Sequence, residues 1–410
     1  MNEIKVKVID AICGAGKTTA AINYINHPSN VGERFMYVTP YLTEVQRIKE
    51  TCVDKKFKEP QTYGSKMQDI FRLIEKGDNI VTTHNLFNRF TPDVINLVKL
   101  SGYILIMDEV ADVVSPLEIS SDDANTILEK YAHIDGVSVI WDDKDYVGRF
   151  EDYKNLCDLG CVTAHKVGEQ VNLLIWMFPI KVFEAFSDIF ILTYIFDAQV
   201  QKYYYDFYNI QYEYLYVKDF EFTEEYQDYN VKEKYGKLIN VYDKPNLNQI
   251  GYDRNALSRT WFDKNRNNAV SRVLKNNINN FLRNVVKAKG NDCIWTTFIS
   301  CKDDYSSKGF SKSFVSLNMR ATNEYRTRKN VAYIANRFMN PYIKLFFDSC
   351  GIEVDEDAFA LSELIQFIFR SRLRCCESIN IYIPSRRMRT LLCDWAGIEL
   401  DEEKALTTKK

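Results

Sequence analysis

"VIDAICGAGKTTA", Val8–Ala20, joins an apolar run to a glycine-rich turn and then to a helix-forming tail. The turn follows the P-loop form Ala11-x-x-Gly14-x-Gly16-Lys17-Thr18, with Ala11 where the general pattern has its first glycine. Glycines at these places let successive backbone N–H groups turn inward around phosphates, at the positive end of the following helix. Gly14, Ala15, Gly16, Lys17, Thr18 and Thr19 are therefore the candidate residues for cradling ATP. Lys17 is expected to neutralise phosphate charge and Thr18 to hold Mg²⁺. A chance glycine-rich turn is the plainer reading, but it leaves the strand–turn–helix order unexplained.

A P-loop ATPase also needs a second strand that ends in acid, to hold the metal and activate the attacking water. "GYILIMDEVAD", Gly102–Asp112, has that form: a run suited to a buried parallel strand, then Asp108-Glu109. Asp108 is the candidate metal-side carboxylate and Glu109 the candidate base. Paired acids after a strand are often mere surface charge, and only the P-loop upstream gives this pair a catalytic reading.

The chain has 410 residues, which is more than one ordinary core, so two or three domains are expected. Its 26 Tyr and 25 Phe are ample for a large packed interior. The net charge of −3 excludes a uniformly basic nucleic-acid binder, so any such site must be local. One local stripe exists: Arg254 to Lys289 holds nine Lys or Arg against a single acid, Asp263. The ten cysteines lack framework spacing and no signal peptide precedes the first strand, so reduced thiols and an intracellular, cytoplasmic protein are expected. Cys157-x3-Cys161-x3-His165 lacks an evident fourth zinc ligand. Val171–Phe196 is strongly apolar but contains Pro179, Lys181, Glu184 and Asp188, and reads as buried helix and strand with no membrane span.

Further segments fall in a recognisable order. They are "MYVTPYLTEVQRI" (Met36–Ile48), "NIVTTHNLF" (Asn79–Phe87), "FILTYIFDAQ" (Phe190–Gln199), "CIWTTFIS" (Cys293–Ser300), "FVSLNMRATNEY" (Phe314–Tyr325) and "LIQFIFRSRLR" (Leu364–Arg374). Together with the P-loop and Asp108-Glu109, they resemble motifs of the superfamily 2 helicases, particularly the DEAD-like ones encoded by bacteriophages, over most of the chain. The resemblance implies an α/β fold of two RecA-like P-loop domains with central parallel sheets and an ATP cleft between them.

The same resemblance implies that Thr39, Pro40, Thr83, His84, Thr297, Asn318, Arg320, Thr322 and Asn323 contact nucleic acid, and that Thr193 links hydrolysis to strand binding. It makes Gln366 a water-positioning group and Arg370 and Arg374 the arginines offered to the transferring phosphate. The last segment departs from the usual pattern, with Phe369 for Gly and Leu373 where the second Arg belongs. On a continuous helix, however, Gln366, Arg370 and Arg374 would share one face. A solvated basic helix is the blander alternative.

These readings place domain 1 at residues 1–199, with a helical insertion at about 115–171, domain 2 at 200–400, and a flexible tail at 401–410. The basic stripe is expected to be an amphipathic helix with Val270, Val273, Leu274 and Ile278 inward and its positive face toward phosphates. Tyr212, Tyr214 and Tyr216 alternate on one strand face; they could stack bases, although packing is the more economical account. The functional expectation is an ATP-dependent DNA helicase or translocase of phage-type replication or recombination, acting on single-stranded or forked DNA, with replication proteins as further partners. The rivals are an ATP-gated nucleic-acid-binding or packaging factor that does not unwind, and a P-loop kinase. The near absence of chain before Ile4, and Asp-Glu-Val-Ala in place of Asp-Glu-Ala-Asp, tilt the expectation toward DNA over RNA.

Overall fold

The computed structural model describes residues 6–62, 64–167, 170–317, 319 and 324–400. The chain divides into two compact units, residues 1–227 with 340–354, and residues 228–339 with 355–410. The division therefore falls after Gln227, not after Gln199, and the chain returns once to the first unit.

The first unit carries, in chain order, β1 (Val6–Asp10), β2 (Arg34–Thr39), β3 (Ile80–Thr83), β4 (Tyr103–Asp108), β5 (Val114–Pro116), β6 (Ala132–Asp135), β7 (Ser138–Trp141), β8 (Val162–Val167), β9 (Gln170–Met177), β10 (Asp188–Thr193), β11 (Tyr212–Lys218) and β12 (Glu221–Thr223). Seven of these form one sheet in the order β12-β11-β1-β10-β4-β2-β3. All its neighbours pair in parallel except β12, which closes a hairpin on β11. The central strands are apolar almost throughout, as a sheet covered on both faces requires: Leu105, Ile106, Met107, Ile189, Ile191 and Leu192 are fully buried. The alternating tyrosines lie on β11 in this sheet. Tyr212 and Tyr214 meet edge to face with Phe196, and the Tyr214 hydroxyl donates to Asp197 at 2.6 Å.

A helical insertion was expected at about 115–171; the chain between β4 and β10 forms instead a second sheet, in the order β5-β9-β8-β7-β6, with antiparallel pairing. Two helices, Ser121–Lys130 and Glu151–Asp158, accompany it. The sheet wins because short stretches such as Ser138–Trp141 alternate buried and exposed positions, and because Tyr131 stacks on Trp141 at 5.8 Å beside Phe150 and Tyr146. Cys157 and Cys161 are buried, and His165 Nδ1 lies 3.1 Å from the Ser349 hydroxyl. Among the described residues no cluster of His, Cys, Asp and Glu is arranged to hold a metal ion.

The second unit is built on a four-stranded parallel sheet of β13 (Ile239–Val241), β14 (Cys293–Thr296), β15 (Asn330–Tyr333) and β16 (Ile379–Tyr382), ordered β13-β16-β15-β14. The expected α/β class with a parallel sheet in each unit is thus what forms. At the start of the segment Phe314–Tyr325 the described residues contribute a single bridge, Trp295 with Phe314. The basic stripe is broken into helices Arg259–Asn265 and Ala269–Asn280 followed by a π-turn. Its inward face is Leu274, Ile278 and Phe281, whereas Val270 and Val273 stay exposed, which corrects the expected apolar face. Among the described residues no helix is long and apolar enough to cross a membrane.

Candidate nucleotide site

Three strand ends meet at one edge of the seven-stranded sheet. β10 lies between β1 and β4, and the register pairs Asp10 with Thr193 and Leu192 with Asp108. The P-loop and the Asp108-Glu109 pair therefore leave the same carboxyl edge of the sheet, the side on which open α/β sheets bind ligands. Ala11 N donates to Thr193 O at 3.1 Å, and Glu109 N to Leu192 O at 3.0 Å, so β10 fixes the starting point of both loops.

The loop itself has the form the sequence implied. Gly14 and Gly16 have φ of 89° and 90°, a left-handed backbone that disfavours a Cβ, and Ala15 N closes the turn on Ile12 O at 3.0 Å. Helix Lys17–Asn26 follows, with no side-chain cap and no acid in its first turn. Its leading N–H groups thus meet no carboxylate of their own turn, which leaves the positive helix end to an anion. Lys17 folds back across the loop, donating to Ala11 O at 2.6 Å.

Burial, with the negative charges of Glu109 and Glu44 nearby, pushes the Asp108 carboxyl up to about 7, against the pull of Lys17 and Arg47. Lys17 and Asp108 thus feel one another within this unit. Folding raises the value, so the linked stability is complete below the ordinary carboxylate range and is lost as pH rises toward about 7. Asp108→Asn is expected to melt at higher temperature than the parent chain at pH 8, and this excess should shrink as pH falls from 7 toward 4. Melting curves at pH 8 and pH 5 check it; an excess equal at both would overturn it.

Glu109 adopts φ of 66°, a left-handed conformation that a non-glycine residue holds only when its surroundings impose it. Sequence reasoning missed several groups around the pair. Asp10 accepts from Ile195 N and Phe196 N at 2.9 and 3.1 Å, joining the end of β1 to the turn after β10; an acid at the end of the strand that leads into the P-loop was its signal. Glu44 pairs with Arg47 at 3.2 Å on helix Leu42–Thr51.

The expected nucleic-acid contacts fare unevenly. Thr39 and Thr297 are completely buried, which corrects the expectation that their hydroxyls face a bound strand. Pro40 and Thr83 are half-buried at the ends of β2 and β3. His84 is buried and its Nε2 donates to Asp108 O at 2.9 Å, so the imidazole braces the acidic loop instead of facing solvent. Asn318, Arg320, Thr322 and Asn323 lie outside the described residues.

In the second unit the common face of Gln366, Arg370 and Arg374 does not form. Helix Glu356–Ile368 carries Gln366 in its last turn and stops there; Ser371 caps a separate 3-10 turn, Arg372–Cys375, that holds Arg374. Arg370 is 4% exposed and donates to Ser316 O at 3.1 Å and Leu317 O at 3.3 Å, over the Phe367 ring. Those carbonyls and the Ser371 cap outcompete continuation of the helix. Arg370→Ala should therefore cost about 2–3 kcal/mol of stability, the range for charged hydrogen bonds lost in a buried setting. Urea unfolding would measure this, and a loss near zero would show the carbonyl contacts to be incidental.

Residues 233–396 match the family model described as the YonV C-terminal Rossmann-like domain. The Xpd4 structure from S. tokodaii superposes with a TM-score of 0.51 at 11% identity, covering 98% of this chain and 95% of that one, so the two chains share a fold. A structure titled XPD helicase gives a TM-score of 0.41 at 10% identity, covering 95% of each chain. The SPbeta prophage-derived protein YonV of Bacillus subtilis strain 168 is 40% identical over 412 residues, 95% of this chain and 98% of its own. Identity at that level along nearly the whole of both chains makes this protein a member of the YonV family.

Proposed function

We propose that this protein is a nucleic-acid-dependent ATPase of superfamily 2, a DNA helicase or translocase that couples ATP hydrolysis to movement on single-stranded DNA. The observation that carries the reading is the register that brings the glycine loop and the Asp108-Glu109 pair to one sheet edge, on either side of β10. The prophage origin of the Bacillus relative supports a phage replication or recombination setting, in which replication proteins are the natural partners.

The residues fit ATP with Mg²⁺. Left-handed Gly14 and Gly16 open the loop amides, Ala15 and Thr19 complete the cradle, and Lys17 supplies a cation that can leave its carbonyl for a phosphate. Thr18 and Asp108 are the metal-side ligands. The ion, where bound by these residues, would supply charge neutralisation on the phosphate oxygens. Glu109 orients the attacking water and takes its proton. The helicase resemblance would give Gln366 a water-positioning role and Arg370 and Arg374 phosphate-facing roles; for Arg370 that role requires it to leave the Ser316 and Leu317 carbonyls.

Steady-state ATPase measurements with and without single-stranded DNA test the reading. The rate should rise several-fold with DNA; indifference to DNA and RNA alike would overturn the motor and leave only a nucleotide binder. Fork substrates of each polarity then separate an unwinding enzyme from an ATP-gated clamp.

A further inference from the structure

The turn between β11 and β12 holds Asp219 and Phe220, and the register closes on Lys218 with Glu221, so the loop has two residues. Both have positive φ, 51° and 61°. Such turns favour Asn-Gly or Asp-Gly, because the second place is easiest for glycine. Here it carries a phenylalanine that is 55% exposed.

The ring lies directly on the phosphate loop. A Cβ built on Gly16 would stand 2.6 Å from Phe220 Cδ1 and 2.8 Å from Cε1. The hairpin is tied there by other groups: Asn23 on the P-loop helix donates to Phe220 O at 3.0 Å, and Phe222 packs on Tyr24 and Phe190 at 5.7 and 5.6 Å. Phe222 and Asn23 already anchor the hairpin, and Phe220 leaves more than half its surface in water. Packing alone therefore gives little reason for an aromatic ring where glycine is the easiest residue.

We infer that Phe220 is the stacking platform for the base of the nucleotide held by the P-loop. This rests on the nucleotide reading above and adds to it the group that recognises the base. The ring stands beside Gly16 in the loop that would hold the phosphates, so a nucleoside attached to them could reach it. Stacking is tolerant of base identity, since every base has such a face. The subsite therefore separates nucleotides from bare polyphosphate more than it separates one base from another.

The experiment is isothermal titration of the full chain, with Mg²⁺, using ATP and inorganic tripolyphosphate. The parent chain should bind ATP about tenfold or more tighter than tripolyphosphate, the scale of one base–aromatic stack. Phe220→Ala and Phe220→Gly should erase that preference by weakening ATP alone, and Phe220→Trp should keep it. Phe220→Gly should also melt no lower than the parent, because glycine accepts the left-handed turn. An unchanged ATP preference in Phe220→Ala overturns the proposal, and so does equal weakening of both ligands, which would mark a distorted loop. A parent chain that binds neither ligand sinks the nucleotide reading itself, and the base platform with it.

Discussion

With the proposed ATPase activity, Lys17→Ala should lower ATP hydrolysis by about a thousandfold or more, to background, whether or not single-stranded DNA is present. The side chain crosses the P-loop to reach Ala11 O at 2.6 Å, and its charge acts on Asp10 and Asp108 alike. Removing it does two kinds of damage. The phosphates lose a cation placed where charge accumulates, and Asp108 loses a partner that holds its carboxyl below where burial alone would push it. The second effect predicts that high Mg²⁺ and high pH restore only part of the loss. A coupled ATPase assay reads the rate, and a melting curve confirms that the variant folds. Turnover within tenfold of the parent would remove Lys17 from the chemistry.

Glu109 gives the second large effect, with opposite signs in activity and stability. Glu109→Gln keeps the shape and removes the proposed base, and hydrolysis should fall by about 10²–10⁴-fold. Glu109→Gly should be as inactive, yet melt at higher temperature than the parent. Its backbone sits at φ of 66°, which costs a residue with a Cβ about 1–2 kcal/mol and glycine almost nothing. Part of that gain is offset by the greater freedom of an unfolded glycine, so a net rise of about 1 kcal/mol is expected. Activity assays paired with thermal melts check both signs. A glycine variant less stable than the parent would mean that the carboxylate itself holds the loop.

The first unit was largely legible from the chain because its decisive signals are local. A buried parallel strand reads as an unbroken apolar run, and Tyr103–Met107 and Val8–Ile9 stand out whatever surrounds them. The loop glycines are demanded by backbone conformation alone. What escaped was set by contacts between residues far apart. The helix expected to carry Arg374 ends early because Arg370 is drawn to carbonyls at Ser316 and Leu317, which no periodicity reveals. His84 was read as a nucleic-acid contact from its place at the end of β3, whereas the Asp108 carbonyl at the end of β4, two strands away in the sheet, captures its imidazole. Phe220 over Gly16 could not be foreseen, since only the sheet order brings the hairpin beside β1.

Helix Pro341–Ser349 has consequences for synthesis. It lies within the 233–396 segment, yet its Phe346 and Phe347 pack on Phe207 and Tyr203, and its Ser349 meets His165. A chain emerging from the ribosome must therefore run on to Val354 before the first unit can finish folding. A fragment cut after Gln227 would leave the aromatic seats for Phe346 and Phe347 open to water, so neither half is a self-sufficient piece of the gene.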